Sequence, residues 1–453
     1  MMRYLIPTFA CLALLPGPAS AQPPVVRLTL DEAVTKAFEA SYRLAEAGAR
    51  QEAADATRRV RHAASGPTAA ALATYTRTNH VPEFSFPVPG EGLRVLYPDV
   101  PDNIATRLSA QWPIYTAGRA DALERAAAAE ARAAGADLET ARLDLRFEVQ
   151  RAYWALATAR EAERVLEESV ARADAQLADT RQRLVVGLVP PSDVLVFEAQ
   201  RSRDQLQLIE AQTQRETALV GLRRLLNLPP DAAIELADRL DAPVLSPEAT
   251  SAASAPRGSD PASAALIAEA LEQRPERQAL AIRVEGSQAR QAAAAAGNRP
   301  TIALGGGVDL ARPNPRFFPR ENIWQTSWDI GVNVSWTLFD SGRTRAEVAE
   351  AAATTRAAKA RLDEVASLVA ADVRLRQLDL RAGLAAVRAA EDGLRAAAEA
   401  RRVLGERFAV GVATTTDVLV AQDQLLLAEL ARARSLANVR LAEARLQRAL
   451  GRP

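Results

Sequence analysis

Cysteine and histidine are the first residues to consider, because they supply thiol nucleophiles, general bases and many metal ligands. The chain of 453 residues contains one cysteine and two histidines, which are Cys11, His62 and His80. They do not have the spacing of metal ligands, and the sequence contains no glycine-rich nucleotide-binding loop. Both histidines are therefore interpreted as incidental. The sequence predicts no catalytic residues, no metal site and no cofactor, so an enzyme is not expected.

Charge and composition point to helices rather than to a catalytic or nucleic-acid-binding domain. The 56 Lys and Arg residues balance 56 Asp and Glu residues, which gives no support to binding through phosphate contacts. Aromatic residues make up 5% of the chain, and the abundance of Ala, Arg, Glu and Leu is typical of long helices. Functional positions must therefore be sought in the elements that this composition builds.

The amino terminus has the pattern of a secretion signal. Arg3 is followed by a mostly apolar run, Tyr4 to Leu15, and by the small residues Ala19 to Ala21, which predicts cleavage after residue 21. Cys11 lies inside this segment without the preceding residues of a lipidation site, so cleavage is favoured over lipidation. No later stretch reaches 18 consecutive apolar residues. A helical membrane span is therefore not expected.

The sequence contains an internal duplication. Gln111 to Arg119 matches Ser335 to Arg343 at an offset of 224 residues (335 − 111), and Val186 to Leu195 matches Val410 to Leu419 at the same offset. Upstream the offset is 233, so the first copy carries nine extra residues (233 − 224), which fall in Val81 to Pro101. Internal duplication is the most informative feature of a sequence when it occurs. Each copy is predicted to run helix, strand, loop, strand, long helix, tip, helix.

Helices and strands alternate in a predictable way within each copy. Ala33 to Ala64 and Ala264 to Gly297 have helical spacing and are closed by Gly and Pro. No proline interrupts residues 114–189 or 320–452, which predicts very long helices that must pack along apolar stripes.

Between the helices the apolar period changes to two. Every even position in residues 327–338 is large and apolar, and every odd position is small or polar, which predicts a strand with one apolar and one polar face. Residues 104–114, 302–310 and 69–75 repeat the pattern. An ordinary hairpin on a soluble core is the alternative, but the length of about 10 residues and the flanking tryptophans favour strands of a membrane barrel. The predicted lipid-facing positions are Trp112, Trp328, Ile330, Val332, Val334 and Trp336.

Two hairpins give four strands, which are too few to close a barrel, since small closed barrels have about eight. Several protomers must then share one barrel. Two protomers would give eight strands and a filled interior, and three would give twelve strands and a lumen.

The long helices end at matching turns. Gly187 and Gly411 suit left-handed helix C-caps, and Ser192 or Asp193 and Thr416 or Asp417 suit N-caps of the next helices. Helix capping alone is enough to explain these residues. The more specific hypothesis is that the turns are exposed tips that form a docking surface. The predicted tip residues are Val186, Gly187, Leu188, Asp193, Val410, Gly411, Val412 and Asp417.

The whole mature chain resembles the outer membrane efflux protein family, the TolC-like channels. The resemblance rests on the duplicated plan, on the strand-to-helix junctions Trp112…Gly118-Arg119 and Trp336…Gly342-Arg343, and on the paired Val-Gly-x…Asp-Val-Leu tips. It implies an α+β membrane protein that is internally duplicated. A homotrimer with four strands per protomer would share a transmembrane β-barrel in the outer membrane, and long coiled-coil helices would form a helical barrel in the periplasm.

The resemblance also implies partners and a function. The tips would meet a periplasmic adaptor protein that links the channel to an inner-membrane pump, so the chain would be the exit duct of a tripartite efflux system. An outer-membrane channel of a type I protein secretion system is one alternative, and a structural periplasmic coiled-coil protein is another. Asp392, Arg395 and Glu399 are the candidates for a periplasmic gate; an ordinary solvated helix face is the plainer interpretation.

These observations divide the chain into four segments. Residues 1–21 are the signal peptide, 22–229 the first repeat, 230–261 a linker or equatorial segment, and 262–453 the second repeat. The linker is rich in Pro, Ala, Ser and Asp, and is not expected to form a separate enzyme domain.

Overall fold

The computed structural model describes residues 26–90, 92–241 and 261–452. The predicted signal peptide and most of the predicted linker lie outside the described residues. The strands are β1 (Val26–Leu28), β2 (Thr68–Arg77), β3 (Phe84–Val88), β4 (Gly92–Tyr97), β5 (Asp102–Tyr115), β6 (Ile234–Leu236), β7 (Thr301–Arg312) and β8 (Gln325–Ser335). The helices are α1 (Leu30–Ala40), α2 (Tyr42–Ala63), α3 (Arg119–Val185), α4 (Pro191–Leu225), α5 (Pro261–Gln273), α6 (Pro275–Ala295), α7 (Arg343–Ala409) and α8 (Thr415–Leu450).

The long helices repeat the duplication of the sequence. Helices α3 and α7 each contain 67 residues, and Arg343 follows Arg119 by the same 224 residues (343 − 119) that separate the matching motifs. Both are rich in the strong helix formers Ala, Leu, Arg and Glu, and proline occurs in neither. This agreement supports the division into two repeats, which we retain as a proposal. None of the helices in the described ranges holds a segment long and apolar enough to cross a membrane.

The prediction of a single helix at the start of each copy is wrong, because the structure has two consecutive helices there. The first breaks at Ser41, whose backbone is extended with φ −78° and ψ 116°. The second breaks at Arg274, where Pro275 begins α6. Proline is favoured at the first position of a helix because its missing N–H needs no partner there, and it disfavours a helical residue before it.

The described chain packs as two units, and strands β2, β5, β7 and β8 belong to the second, which comprises residues 42–144, 261–377 and 446–452. They form one antiparallel sheet in the order β2-β5-β7-β8. Trp112 pairs with Leu304, and Val308 pairs with Trp328. The predicted strands are therefore confirmed, and the register places their apolar positions on one face.

Two details of the strands differ from the prediction. Strand β8 ends at Ser335 rather than continuing to Leu338. Ser335 pairs with Thr301, the first residue of β7, and in the described part of the chain the residues after Ser335 have no ladder partner. Trp336 therefore follows the strand directly. The stretch Val81 to Pro101, in which the extra residues of the first copy fall, was predicted as part of a loop, but it contains a separate two-stranded sheet, β3 paired with β4.

The first unit comprises residues 26–41, 145–241 and 378–445. In it β1 pairs in parallel with β6, an interaction that the sequence did not predict. The fully buried Tyr153 supports this pair: its hydroxyl contacts the Leu28 carbonyl at 3.1 Å and the Asp238 carboxylate at 2.9 Å. Burial raises the pKa of Tyr153, so the hydroxyl remains a hydrogen-bond donor. The start of the predicted linker is thereby fastened to the amino-terminal strand.

Candidate functional site

The candidate site consists of two turns in the first unit, which we name tip 1 (residues 186–190) and tip 2 (residues 410–414). Gly187 and Gly411 have φ values of 76° and 77°, a left-handed conformation that glycine adopts without the strain of a Cβ atom. The N–H of the residue after each glycine donates to a carbonyl in the last helical turn, at 2.9 Å in tip 1 and 2.8 Å in tip 2. The predicted glycine caps are therefore confirmed.

The predicted N-caps are wrong by several residues. Helix α4 begins at Pro191 and α8 at Thr415, so the predicted N-caps lie inside the first helical turns rather than before them; these are Ser192, Asp193, Thr416 and Asp417.

In tip 2, Thr414 precedes the helix and exchanges hydrogen bonds with Asp417. The Asp417 carboxylate accepts from the Thr414 backbone N–H at 2.9 Å and from its hydroxyl at 2.7 Å. The Asp417 N–H donates back to the Thr414 hydroxyl oxygen at 3.2 Å. This is a capping box closed by an aspartate. The Thr414 hydroxyl and N–H lower the pKa of Asp417, so the carboxylate stays charged at neutral pH.

The helices that follow the two tips are joined directly. The hydroxyl of Thr415 donates to the carboxylate of Asp193 at 2.6 Å, so the first turn of α8 is bonded to the first turn of α4. Sequence analysis singled out Asp193 but missed Thr415. The run of three threonines in residues 414–416 was the available signal, because hydroxyls at a helix start have nearby acceptors.

An apolar cluster holds the tips side by side. The Phe197 and Phe408 rings pack edge to face with centroids 6.4 Å apart. The Arg183 guanidinium lies 5.3 Å from the centre of the Phe408 ring and donates to the Phe408 carbonyl at 3.4 Å. The buried members are Leu177, Val194, Phe197, Phe408, Val418 and Leu419.

On this base the tips present exposed apolar side chains. Val186 is 68% exposed, Leu188 73%, Val410 74% and Val412 75%. Large aliphatic groups that water surrounds on a rigid base are suited to binding another protein, because covering them is favourable and requires little ordering.

The predicted gate residues lie on α7 and make local pairs. Asp392 pairs with Arg395, three residues along the helix. Glu399 does not join them; it pairs with Arg402 at 2.6 Å, and this guanidinium lowers the pKa of Glu399. The structure brings together two of the three predicted residues, all on an exposed helix face. Their role in a gate stays a prediction.

A second candidate surface is the apolar face of the four-stranded sheet. The predicted lipid-facing side chains are between 46% and 69% exposed. The indole N–H of Trp112 donates to the Ser65 carbonyl at 3.2 Å, and that of Trp336 donates to the Asn298 carbonyl at 3.0 Å. Each tryptophan thus fixes the end of the second strand of its hairpin to the segment that follows the preceding helix, at equivalent places in the two copies. The lipid contacts themselves stay a prediction.

Comparison with known proteins identifies relatives of this arrangement. The family described as outer membrane efflux protein matches residues 33–228 and 266–452. Protein CyaE of Bordetella pertussis is 28% identical over 322 residues, which are 70% of this chain and 64% of CyaE. The chain therefore aligns with less than two thirds of that relative.

Solved structures share the fold. The outer-membrane channel OprN is 22% identical, with a TM-score of 0.75 over 94% of this chain and 90% of OprN. The outer membrane protein VceC of Vibrio cholerae is 20% identical, with a TM-score of 0.75 over 93% of this chain and 96% of VceC. At this identity the likeness establishes the architecture.

Proposed function

The chain belongs to the outer membrane efflux protein family, and we propose that it forms the exit duct of a tripartite efflux system. The family consists of outer-membrane channels, and this chain is an outer-membrane protein with their fold. The proposal adds the assembly, the partners and the direction of transport. Substrates would pass from an inner-membrane pump and a periplasmic adaptor protein through the duct to the outside.

The observation that carries the proposal is the four-stranded sheet, whose two edges are unpaired among the described residues. Within that part of the chain, strands β2 and β8 each pair on one side only, and unpaired strand edges pair readily with another chain. The apolar face suits lipid and the opposite polar face suits water, as in membrane barrels. We therefore propose that three copies join β8 to β2 of the next copy, giving a shared barrel of twelve strands.

The tips are the proposed docking site for the adaptor. The apolar side chains of tips 1 and 2 are exposed on a packed base, so they would insert between partner side chains without rearrangement. Closure of the duct is proposed to involve Asp392, Arg395 and Glu399. The bond from Thr415 to Asp193 is a further link that must be considered there, because it fixes one tip against the other.

Fractionation of the expressing cell tests the duct. We expect the protein in the outer-membrane fraction, extracted by detergent as a trimer. Recovery of the protein as a monomer outside the membrane fraction would contradict the proposal. The alternative is a channel of a type I protein secretion system. The adjacent genes help to distinguish the two functions, according to whether they encode an adaptor with a proton-driven pump or one with an ATP-driven pump.

A further inference from the structure

One cluster of charges lies on the polar face of the sheet. The guanidinium of Arg107 on β5 contacts the carboxylate of Asp309 on β7 at 2.5 Å and that of Asp329 on β8 at 2.8 Å. Arg316, in the connection between β7 and β8, contacts Asp329 at 3.2 Å. We name Arg107, Asp309, Arg316 and Asp329 the four-charge cluster. It links three adjacent strands and has two positive and two negative members.

Glycine makes this geometry possible. Arg107 pairs in register with Asp309, whereas Asp329 pairs with Gly307 one strand further. The Arg107 side chain therefore crosses over Gly307 to reach β8. A Cβ atom on Gly307 would lie 2.9 Å from the Arg107 Nη2 atom and 3.0 Å from its Cζ atom, closer than side-chain atoms pack. The absence of a side chain at this position keeps one guanidinium between two carboxylates.

The cluster dominates the charge of its face. In the described strands β2, β5, β7 and β8, the register places three charged residues on the polar face, Arg107, Asp309 and Asp329. The other side chains there are small or uncharged. With Arg316 reaching over from the connection, the charges on this face cancel.

We propose that Arg107 determines the ion selectivity of the duct, because together with Arg316 it cancels the charges of the two aspartates. This inference rests on the proposed function, in which the polar face lines the lumen. Fixed charges on a pore wall concentrate counter-ions and exclude ions of like sign. Their reach is the Debye length, about 30 Å at 0.01 M salt and about 3 Å at 1 M. Three protomers would multiply any imbalance threefold.

Variants that change the charge of the four-charge cluster are expected to shift the ion selectivity in opposite directions. Arg107→Gln leaves a cluster charge of −1 and favours cations, whereas Asp309→Asn with Asp329→Asn leaves +2 and favours anions. Arg107→Gln with Asp309→Asn leaves zero and matches the unmodified protein. Arg77→Gln is the matched control: Arg77 is paired with Asp102 on the same sheet, but the register places it on the opposite face.

The measurement is the reversal potential of the purified trimer in planar bilayers under a KCl gradient. Near 0.01 M salt we expect Arg107→Gln to raise the K⁺ to Cl⁻ permeability ratio at least about twofold, and the difference to vanish at 1 M because of screening. The aspartate double variant should lower the ratio, and it decides the matter if Arg107→Gln does not assemble. Conductance with an unchanged ratio in both would overturn this inference alone. An unmodified protein that neither assembles as a trimer nor conducts would overturn the proposed function as well.

Discussion

Asp193 and Asp417 occupy equivalent positions in the two copies, yet their carboxylates bind different partners. Asp417 accepts from Thr414, the residue that caps its own helix. The equivalent residue in tip 1 is Pro190, which has neither an N–H nor a hydroxyl to donate. The carboxylate of Asp193 is therefore available to accept from Thr415, the residue that follows tip 2. One proline in the first copy thus turns a local cap into a link between the tips.

Removal of that link should loosen both tips. In Thr415→Val the side chain keeps its shape but loses the hydroxyl that Asp193 accepts, which costs about 1 kcal/mol and corresponds to about a fivefold change in local opening. We expect amide hydrogen exchange in residues 186–193 and 410–417 to accelerate by about that factor, with unchanged helix content. Thr416→Val is the matched control, because its hydroxyl makes no hydrogen bond among the described residues. Equal acceleration in both variants would argue against a specific link.

At the scale of elements, each proposed docking tip is a turn in which a glycine adopts a left-handed conformation. A test of docking should therefore leave Gly187 and Gly411 in place and change the exposed side chains beside them. Leu188→Asp combined with Val412→Asp puts a charge into each apolar tip while the packed base beneath is untouched. A desolvated, unpaired carboxylate is unfavourable in an interface.

We expect this double variant to assemble as a normal trimer and to lose adaptor binding, measured by co-purification and by export of a pump substrate. The matched control is Leu188→Val with Val412→Ile, which keeps both tips apolar and should retain binding. Export at the unmodified level in the aspartate variant would remove the tips from the adaptor interface.

The sequence predicts secondary-structure elements where one hydrophobic pattern dominates. The prediction fails where contacts with residues distant in the sequence determine the structure. Alternation in residues 327–338 locates β8, because one face of the sheet is apolar and the other is not. The same pattern overruns the end of β8, since a strand ends where its partner ends. The β3–β4 hairpin was missed because Pro87 lies in β3, and proline argues against a strand unless it lies at an edge. The link from Thr415 to Asp193 was beyond reach, because it joins residues 222 positions apart.

At the scale of the whole molecule, the two faces of the sheet support the proposed assembly of three copies. A barrel of eight strands has an interior filled by side chains. The polar face here carries Arg107, Asp309 and Asp329 beside the glycines 305, 307 and 331, a set that suits water better than a packed core. In the proposed assembly, twelve strands from three copies would leave a lumen in which these charges stay hydrated. The charges on the polar face therefore support the proposed assembly of three copies over an assembly of two.

Cysteine cross-linking tests this closure, because each protomer would place the start of its β2 beside the end of β8 in the next. Within one chain, Thr68 and Ser335 lie on the two outer strands of the sheet. The register places Thr68 opposite Gly331, so Ser335 lies three strand spacings across and four residues further along, about 20 Å away. A short bis-maleimide linker of about 8 Å cannot span that distance. Thr68→Cys with Ser335→Cys should therefore cross-link between protomers only. The mature chain is predicted to contain no cysteine of its own.

A closed ring of three gives covalent trimers and nothing larger, because the third link joins the last protomer to the first. An open array would give a ladder of higher oligomers, and a dimer would stop at two. Each single-cysteine variant is the control and should give no trimer. A product that stops at two copies would instead mean eight strands, and the charges of the four-charge cluster would then have to be buried inside a filled barrel, where desolvation makes them costly.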